Sequence, residues 1–99
     1  MNMQNLMAQA QKMQRDIQKK QEEIDNTIFE GKSEWVEVTM NGKREIKLFK
    51  INRENLSDKE DIEMLEDMVT IALNDVLTKI AAEIESKMGA ATGGLNGLM

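Results

Sequence analysis

Four basic side chains among the first 26 residues have a spacing that suits contact with a polyanion. Lys12, Arg15 and Lys19 follow one another at intervals of three and four, and Lys20 is adjacent to the last of them. On an α-helix such intervals place side chains on one face. Because lysine and arginine on one face can each reach a phosphate oxygen, these four residues are a candidate DNA-binding surface.

The same four cations have a second interpretation as the solvated face of a helix. Asp16 lies four residues after Lys12, and Glu23 lies four after Lys19 and three after Lys20. Opposite charges at these intervals form ion pairs along a helix. The sequence leaves both interpretations open.

A second basic group surrounds a predicted hairpin and competes as a DNA-binding surface. It consists of Lys43, Arg44, Lys47 and Lys50. Lysines on an edge strand also prevent sheet edges from aggregating, which is the alternative explanation for them. Lys87, near the end of a predicted helix, is a further possible DNA contact, but a cation there also suits the negative end of the helix dipole.

The chain contains neither cysteine nor histidine. This excludes disulfides, thiolate nucleophiles, Cys/His zinc sites and every catalytic mechanism that needs an imidazole. The remaining candidates for chemistry are carboxylates, and most of them alternate with Lys or Gln in helix-like stretches, as on a solvated face. We therefore expect no catalytic residues, no metal site, no cofactor and no small-molecule substrate.

Length and charge favour one small domain with an acidic end. The 99 residues fit a single domain, which we place at residues 1–88, and residues 89–99 form a predicted flexible, glycine-rich tail. Residues 57–99 carry three basic and nine acidic side chains, and this segment should repel nucleic acid. No apolar run is long enough for a membrane span, and no signal peptide is recognisable, so a cytosolic protein is expected.

Two long helices flank a predicted sheet of short strands. Apolar residues at alternating intervals of three and four predict a first helix over residues 3–26, with a narrow apolar stripe typical of a coiled coil. A capping pattern, either Ser57 with Glu60 or Asp58 with Asp61, begins a second helix, which we expect to end at Gly89. The fold class is therefore α+β, in the order α-β-β-β-α.

The segment between the helices predicts three antiparallel strands with one hairpin. A three-residue turn at 41–43 would keep the hairpin's charged side chains off its apolar face. The resulting pairs are Val38 with Ile46 and Val36 with Leu48. The residues predicted to form the core or a dimer contact are Val36, Val38, Ile46, Leu48, Leu65, Met68, Val69, Ala72, Leu73 and Val76.

Two segments resemble the YbaB/EbfC family of bacterial nucleoid-associated proteins. They are V-x-V-x-M-N-G at residues 36–42 and E-M-L-E-D-M-V-x-x-A-x-N-D at residues 63–75, and Ile46 and Ile51 fit the same pattern. The resemblance covers nearly the whole chain. The chain departs from it at Asn52-Arg53, where many members have Asp-Pro, and at Val76, where an Ala is usual.

The resemblance implies a nucleoid-located homodimer, with helical arms projecting from a shared body, that binds double-stranded DNA. Mostly phosphate contacts and little sequence preference are then expected, with a role in chromosome organisation or gene regulation. The alternative function is a dimeric protein–protein interaction module that binds no DNA and uses its methionine-rich faces.

Overall fold

The chain forms two long helices around a three-stranded antiparallel sheet. The computed structural model describes the backbone of residues 2–96 and the side chains of residues 2–89. The elements are α1 (Met3–Asn26), β1 (Ile28–Lys32), β2 (Val36–Asn41), β3 (Ile46–Ile51) and α2 (Lys59–Asn96), with strand order β1-β2-β3. The predicted α-β-β-β-α fold is confirmed.

Helix α1 projects from the body. The Asn2 side chain accepts a hydrogen bond from the Gln4 backbone N–H at 3.1 Å, which caps the first turn. Residues 3–23 are all exposed, and only Ile24, near the end of the helix, is fully buried. The side chains of the first six turns of α1 are therefore exposed, and α1 also has Cα atoms within 8 Å of α2 and β2.

The hairpin turn holds the base of this arm. Asn41 is buried, and its side-chain oxygen accepts hydrogen bonds from the backbone N–H groups of Lys43 and Glu45, both at 3.0 Å. Its side-chain nitrogen donates to the Glu45 carboxylate at 2.8 Å. A Cβ on the adjacent Gly42 would overlap the Ile24 carbonyl oxygen, so only glycine lets the end of α1 approach this closely.

The predicted pairing of β2 with β3 is wrong. The connection consists of residues 42–45 rather than 41–43, and Arg44 within it has a left-handed backbone, with φ at 65°. The hydrogen bonds between Asn41 and Glu45 enclose three residues, and the sequence pattern did not reveal these bonds. Ile46 and Leu48, predicted to face Val38 and Val36, are about half-exposed instead, at 54% and 49%.

The observed register places two other apolar side chains beside the core. Val36 lies opposite Ile51 and Val38 opposite Phe49, so Phe49 and Ile51 point to the same side of the sheet as the buried valines. The register shifts between Thr39 and Met40, and this bulge changes which residues of β3 face the core. A pattern of alternating residues cannot reveal such a shift.

Helix α2 covers one face of β1 and β2. Val36, Val38, Ala72 and Val76 are fully buried, as predicted. The other predicted residues of α2 are partly buried and pack against this core: Leu65, Met68, Val69 and Leu73. Among the described residues, α2 has no Cα atom within 8 Å of β3.

Close packing of α2 on the sheet depends on Gly31. A Cβ at this position would overlap the Ala72 carbonyl oxygen and lie 2.7 Å from the Val76 Cβ. We expect Gly31→Ala to lower the free energy of unfolding by about 1–3 kcal/mol, because the added methyl group forces helix and sheet apart. Urea denaturation followed by circular dichroism measures this change.

Gly89→Ala is the matched control, since a Cβ at Gly89 would make only an ordinary contact, 3.8 Å from the Glu85 Cγ. In a helix this change should leave stability unchanged or raise it by about 0.5–1 kcal/mol. Equal midpoints for Gly31→Ala and the unsubstituted chain would refute the close packing.

The predicted end of α2 at Gly89 is also wrong, because the helix continues to Asn96. Glycine inside a helix is only about 1 kcal/mol less favourable than alanine, and the chain has no proline to stop it. No described glycine has a positive φ, so Gly89 does not form a left-handed cap. Of the predicted tail, residues 97–99 lie outside the described residues.

Side chains of α2 also bind the outer edge of β1. The Lys32 backbone N–H donates to the Asp75 carboxylate at 3.1 Å, and the Lys79 ammonium donates to the Glu30 carbonyl oxygen at 2.8 Å and to Asp75 at 3.2 Å. These bonds occupy backbone groups that an added strand would need. Of the two sheet edges, β1 is therefore the protected one.

The Lys32 N–H and then the Lys79 ammonium stabilise the ionised carboxylate and hold the pKa of Asp75 below its ordinary value. A depressed folded-state pKa means that this contribution to stability is complete above the unfolded pKa, near 4, and is lost as pH falls through the folded pKa. We expect Asp75→Asn to lower Tm at pH 7. At about pH 2 the Tm of this variant should equal that of the unsubstituted chain.

The measurement is Tm by circular dichroism across this pH range. Asp67→Asn is the control, because Asp67 is an exposed carboxylate of the same helix. A Tm difference between Asp75→Asn and the unsubstituted chain that stays constant with pH would contradict the assigned role.

Candidate nucleic-acid interface

The basic residues and the apolar residues of α1 lie on opposite sides of the helix. At 3.6 residues per turn, Lys12, Arg15 and Lys19 centre roughly 160° away from the apolar positions. We call Lys12, Arg15, Lys19 and Lys20 the arm cations. The first three span about 10 Å along the helix axis, and Lys20 lies at the border of the apolar side.

The arm cations do not form the ion pairs within the helix that the alternative interpretation predicts. Within residues 2–89, none of the arm cations forms an ion pair within 4.0 Å of a carboxylate. Asp16 and Glu23, the carboxylates that the spacing offered as partners, form none of the ion pairs of the described chain. Four cations on an exposed helix therefore carry no intramolecular counter-charge at contact distance.

In contrast, basic residues of the β1 edge and of α2 form ion pairs. Lys32 contacts Glu30 at 3.0 Å, and Lys79 contacts Asp75 at 3.2 Å. Lys87, a predicted possible DNA contact, lies 3.4 Å from Glu83 on the preceding turn. This pairing makes Lys87 a helix-surface ion pair and a weaker candidate than the arm cations.

The hairpin group contains its own counter-charge. Glu45 lies among these residues, and its pKa is lowered first by the hydrogen bond from the Asn41 side chain and then by the charges of Lys47 and Lys43. The carboxylate is therefore held ionised beside the lysines, which reduces the attraction of this surface for phosphate. Arg44 remains exposed at the tip of the turn.

Sequence reasoning identified the cations but missed the residues that position them. Asn41 and Gly42 fix the base of α1 against the hairpin, and Gly31 fixes α2 against the sheet. The signal for Asn41 and Gly42 was present in the segment V-x-V-x-M-N-G, where it was interpreted only as a turn. Among the described residues, no three acidic side chains are grouped to hold a metal ion, and no helix is long and apolar enough to cross a membrane.

The fold agrees with comparisons to known proteins. The model of the YbaB/EbfC DNA-binding family matches residues 1–95, and the chain belongs to this family. A nucleoid-associated protein of Lactococcus lactis subsp. cremoris is 50% identical over 97 residues, covering 96% of this chain and 97% of that protein. A nucleoid-associated protein of Chloroflexus aurantiacus is 44% identical over 100 residues and covers 99% of both chains.

A solved structure has the same fold. The crystal structure of an uncharacterized protein from Helicobacter pylori superposes with a TM-score of 0.67 at 27% sequence identity, covering 96% of this chain and 98% of that one. The resemblance identified from the motifs of β2 and α2 is thereby confirmed. The family is one of DNA-binding proteins, and its relatives are nucleoid-associated.

Proposed function

We propose that the chain binds double-stranded DNA as a homodimer, through phosphate contacts made by the arm cations of α1. The observation that carries this proposal is that Lys12, Arg15, Lys19 and Lys20 lie on a projecting helix without carboxylate partners. DNA phosphates are the abundant anions of the nucleoid that such a stripe fits. Lys43 and Arg44 at the hairpin are secondary contacts, and Lys87 is the weakest candidate.

The interaction should be local and sensitive to salt. The chain carries a net charge of -5, so it gains no attraction to DNA from its overall field and depends on the arm cations. Phosphate contacts carry no base sequence information, so sequence preference should be weak or absent. Such binding suits a cytoplasmic protein at the nucleoid that organises the chromosome or modulates gene expression.

The homodimer is supported by the sheet edge that α2 leaves uncovered. Phe49 and Ile51 point to the side of the sheet that α2 covers over β1 and β2, yet they remain 43% and 40% exposed. Ile46 and Leu48 add further exposed apolar surface to the same strand. Because side chains of α2 bind the β1 edge, β3 is the edge at which a second copy can pack.

A dimer with one two-fold axis would present two arms with equivalent cations. Once one arm of the dimer is bound to DNA, the second arm binds at a high effective concentration. The dimer therefore binds DNA more tightly than a single arm does. Dimer formation is therefore part of the proposed DNA-binding mechanism.

The alternative, a protein-interaction module without DNA binding, is favoured by exposed apolar side chains on α2. Ile62, Met64 and Ile71 are 42%, 45% and 52% exposed. This exposed apolar surface suits the binding of another protein.

Direct titration separates the two functions. A labelled duplex of about 30 base pairs is titrated with the full chain and followed by fluorescence anisotropy at several salt concentrations. We expect binding whose log K falls with log salt at roughly 0.9 per phosphate contact, and hence a slope of about −3 or steeper. No binding at the lowest salt concentration would refute the proposed function and favour the protein-interaction module.

A further inference from the structure

The apolar side of α1 has no partner in the described chain. Its members share a spacing of three and four residues and define the α1 seam: Met3, Leu6, Ala10, Met13 and Ile17. Four of them are strongly exposed, with Met3 at 77%, Leu6 at 45%, Met13 at 65% and Ile17 at 39%. Phosphate does not bind an apolar surface, and the seam lies on the side of α1 opposite Lys12, Arg15 and Lys19, with Lys20 at its border.

The geometry of the seam fits another helix. Two apolar positions per heptad form a stripe too narrow for a broad core face, but they match the interface of a two-stranded coiled coil. Residues 3–17 give a contact about 22 Å long. We propose that the α1 seam pairs with the α1 seam of a second copy, antiparallel, between two neighbouring dimers.

The direction of pairing follows from the charges at the border of the seam. Lys20 continues the seam by one step, so a parallel pair in register would place two ammonium groups in the same layer. In the antiparallel pair Lys20 instead lies beside Met3 of the second copy, and Leu6 lies beside its Ile17. Asp16 and Glu23 lie in the second half of α1. In the antiparallel pair they face residues 2–14 of the second copy, which contain no acidic residue, so their carboxylates meet no like charge there.

The extent of the seam predicts a weak contact. Stable interfaces bury about 1,200–2,000 Å² in total, and two heptads of this seam bury less. Pairing should therefore become extensive only where dimers are concentrated, as on one DNA molecule. The pairing itself does not require DNA, but its consequence, two duplexes held together by paired arms, rests on the proposed function.

Single-cysteine variants test the pairing directly, because the chain has no other cysteine. Leu6→Cys and Ile17→Cys proteins of different mass are mixed in a glutathione redox buffer. We expect a disulfide between the two different chains to form about tenfold or more faster than in the control, Ala8→Cys, which lies on the side of the arm cations. The linked product should contain four subunits.

Three outcomes would overturn the proposal. One is a rate no higher than that of the Ala8→Cys control. Another is faster linking of identical chains, Leu6→Cys to Leu6→Cys, which indicates a parallel pair. The third is a linked product of two subunits, which assigns the contact to the arms of a single dimer.

A triple variant separates this proposal from the proposed DNA-binding function. Leu6→Gln, Met13→Gln and Ile17→Gln together should abolish concentration-dependent assembly beyond the dimer in sedimentation velocity. The same variant should bind a single dilute duplex within about twofold of the unsubstituted chain, because the arm cations are intact. Unchanged assembly in this variant refutes the seam contact, whereas loss of duplex binding places the seam within the DNA-binding surface and refutes its separate role.

Discussion

Phe49→Asp is expected to convert the proposed dimer into a folded monomer. Phe49 points to the core side of β3 beyond the reach of α2, and 43% of its surface is exposed in a single chain. The proposed dimer would bury this surface, so the substitution removes an aromatic contact and places a charge in an apolar interface. The dissociation constant measured by sedimentation equilibrium should rise by about 100-fold or more, equivalent to about 3 kcal/mol.

The matched control is Ile28→Asp, which introduces the same charge at an exposed apolar residue on the opposite edge strand, 59% exposed. It should leave the dimer intact. Circular dichroism establishes that the Phe49→Asp chain is folded, and Ile51→Asp replaces it if it is not. A folded Phe49→Asp protein that remains dimeric would show that β3 is not the dimer contact.

Removal of the arm cations should produce the largest loss of DNA binding. The variant Lys12→Ala, Arg15→Ala, Lys19→Ala removes three phosphate contacts from each arm, and a dimer loses them twice. At low salt we expect the affinity for a 30-base-pair duplex to fall by about 100-fold or more. The fold should be unaffected, because residues 3–23 make no buried contact within a single chain.

The hairpin variant Lys43→Ala, Arg44→Ala, Lys47→Ala removes the same charge and is the competing test. It should weaken binding only slightly, because Glu45 already neutralises part of this surface. If the hairpin variant loses binding and the arm variant does not, the DNA contact lies on the hairpin and the assignment to α1 is wrong.

Periodicity predicted the helices well because each forms largely from its own local pattern. The apolar steps of α1 and the absence of Gly and Pro within it gave its bounds, and the capping residues gave the start of α2. The buried residues of β2 and α2 followed from the same patterns. Family resemblance in two segments then supplied the topology.

The hairpin register could not be predicted in the same way. It depends on the buried side chain of Asn41, whose bonds to the backbone of Lys43 and Glu45 set the length of the turn. The bulge beside Met40 then shifts the strand pairing. Alternation of apolar residues encodes neither these side-chain hydrogen bonds nor the bulge, and for that reason Phe49 and Ile51 were missed as surface beside the core.

The sequence proposed the residues of the candidate site but left open whether they form ion pairs. Sequence spacing allowed Lys12 and Lys19 either to pair with Asp16 and Glu23 or to remain free. The side-chain positions on α1 decide between these, and the structure leaves the cations free. In contrast, Lys87 forms an ion pair with Glu83 that was not predicted from the sequence.

The salt dependence of duplex binding tests the central claim most directly. The slope of log K against log salt is measured for the unsubstituted chain, the arm variant and the hairpin variant under identical conditions. If the arms bind phosphate, the arm variant should lose roughly three units of slope for each arm engaged, and the hairpin variant should lose clearly less than the arm variant. An arm variant with the same slope and affinity as the unsubstituted chain would contradict the account.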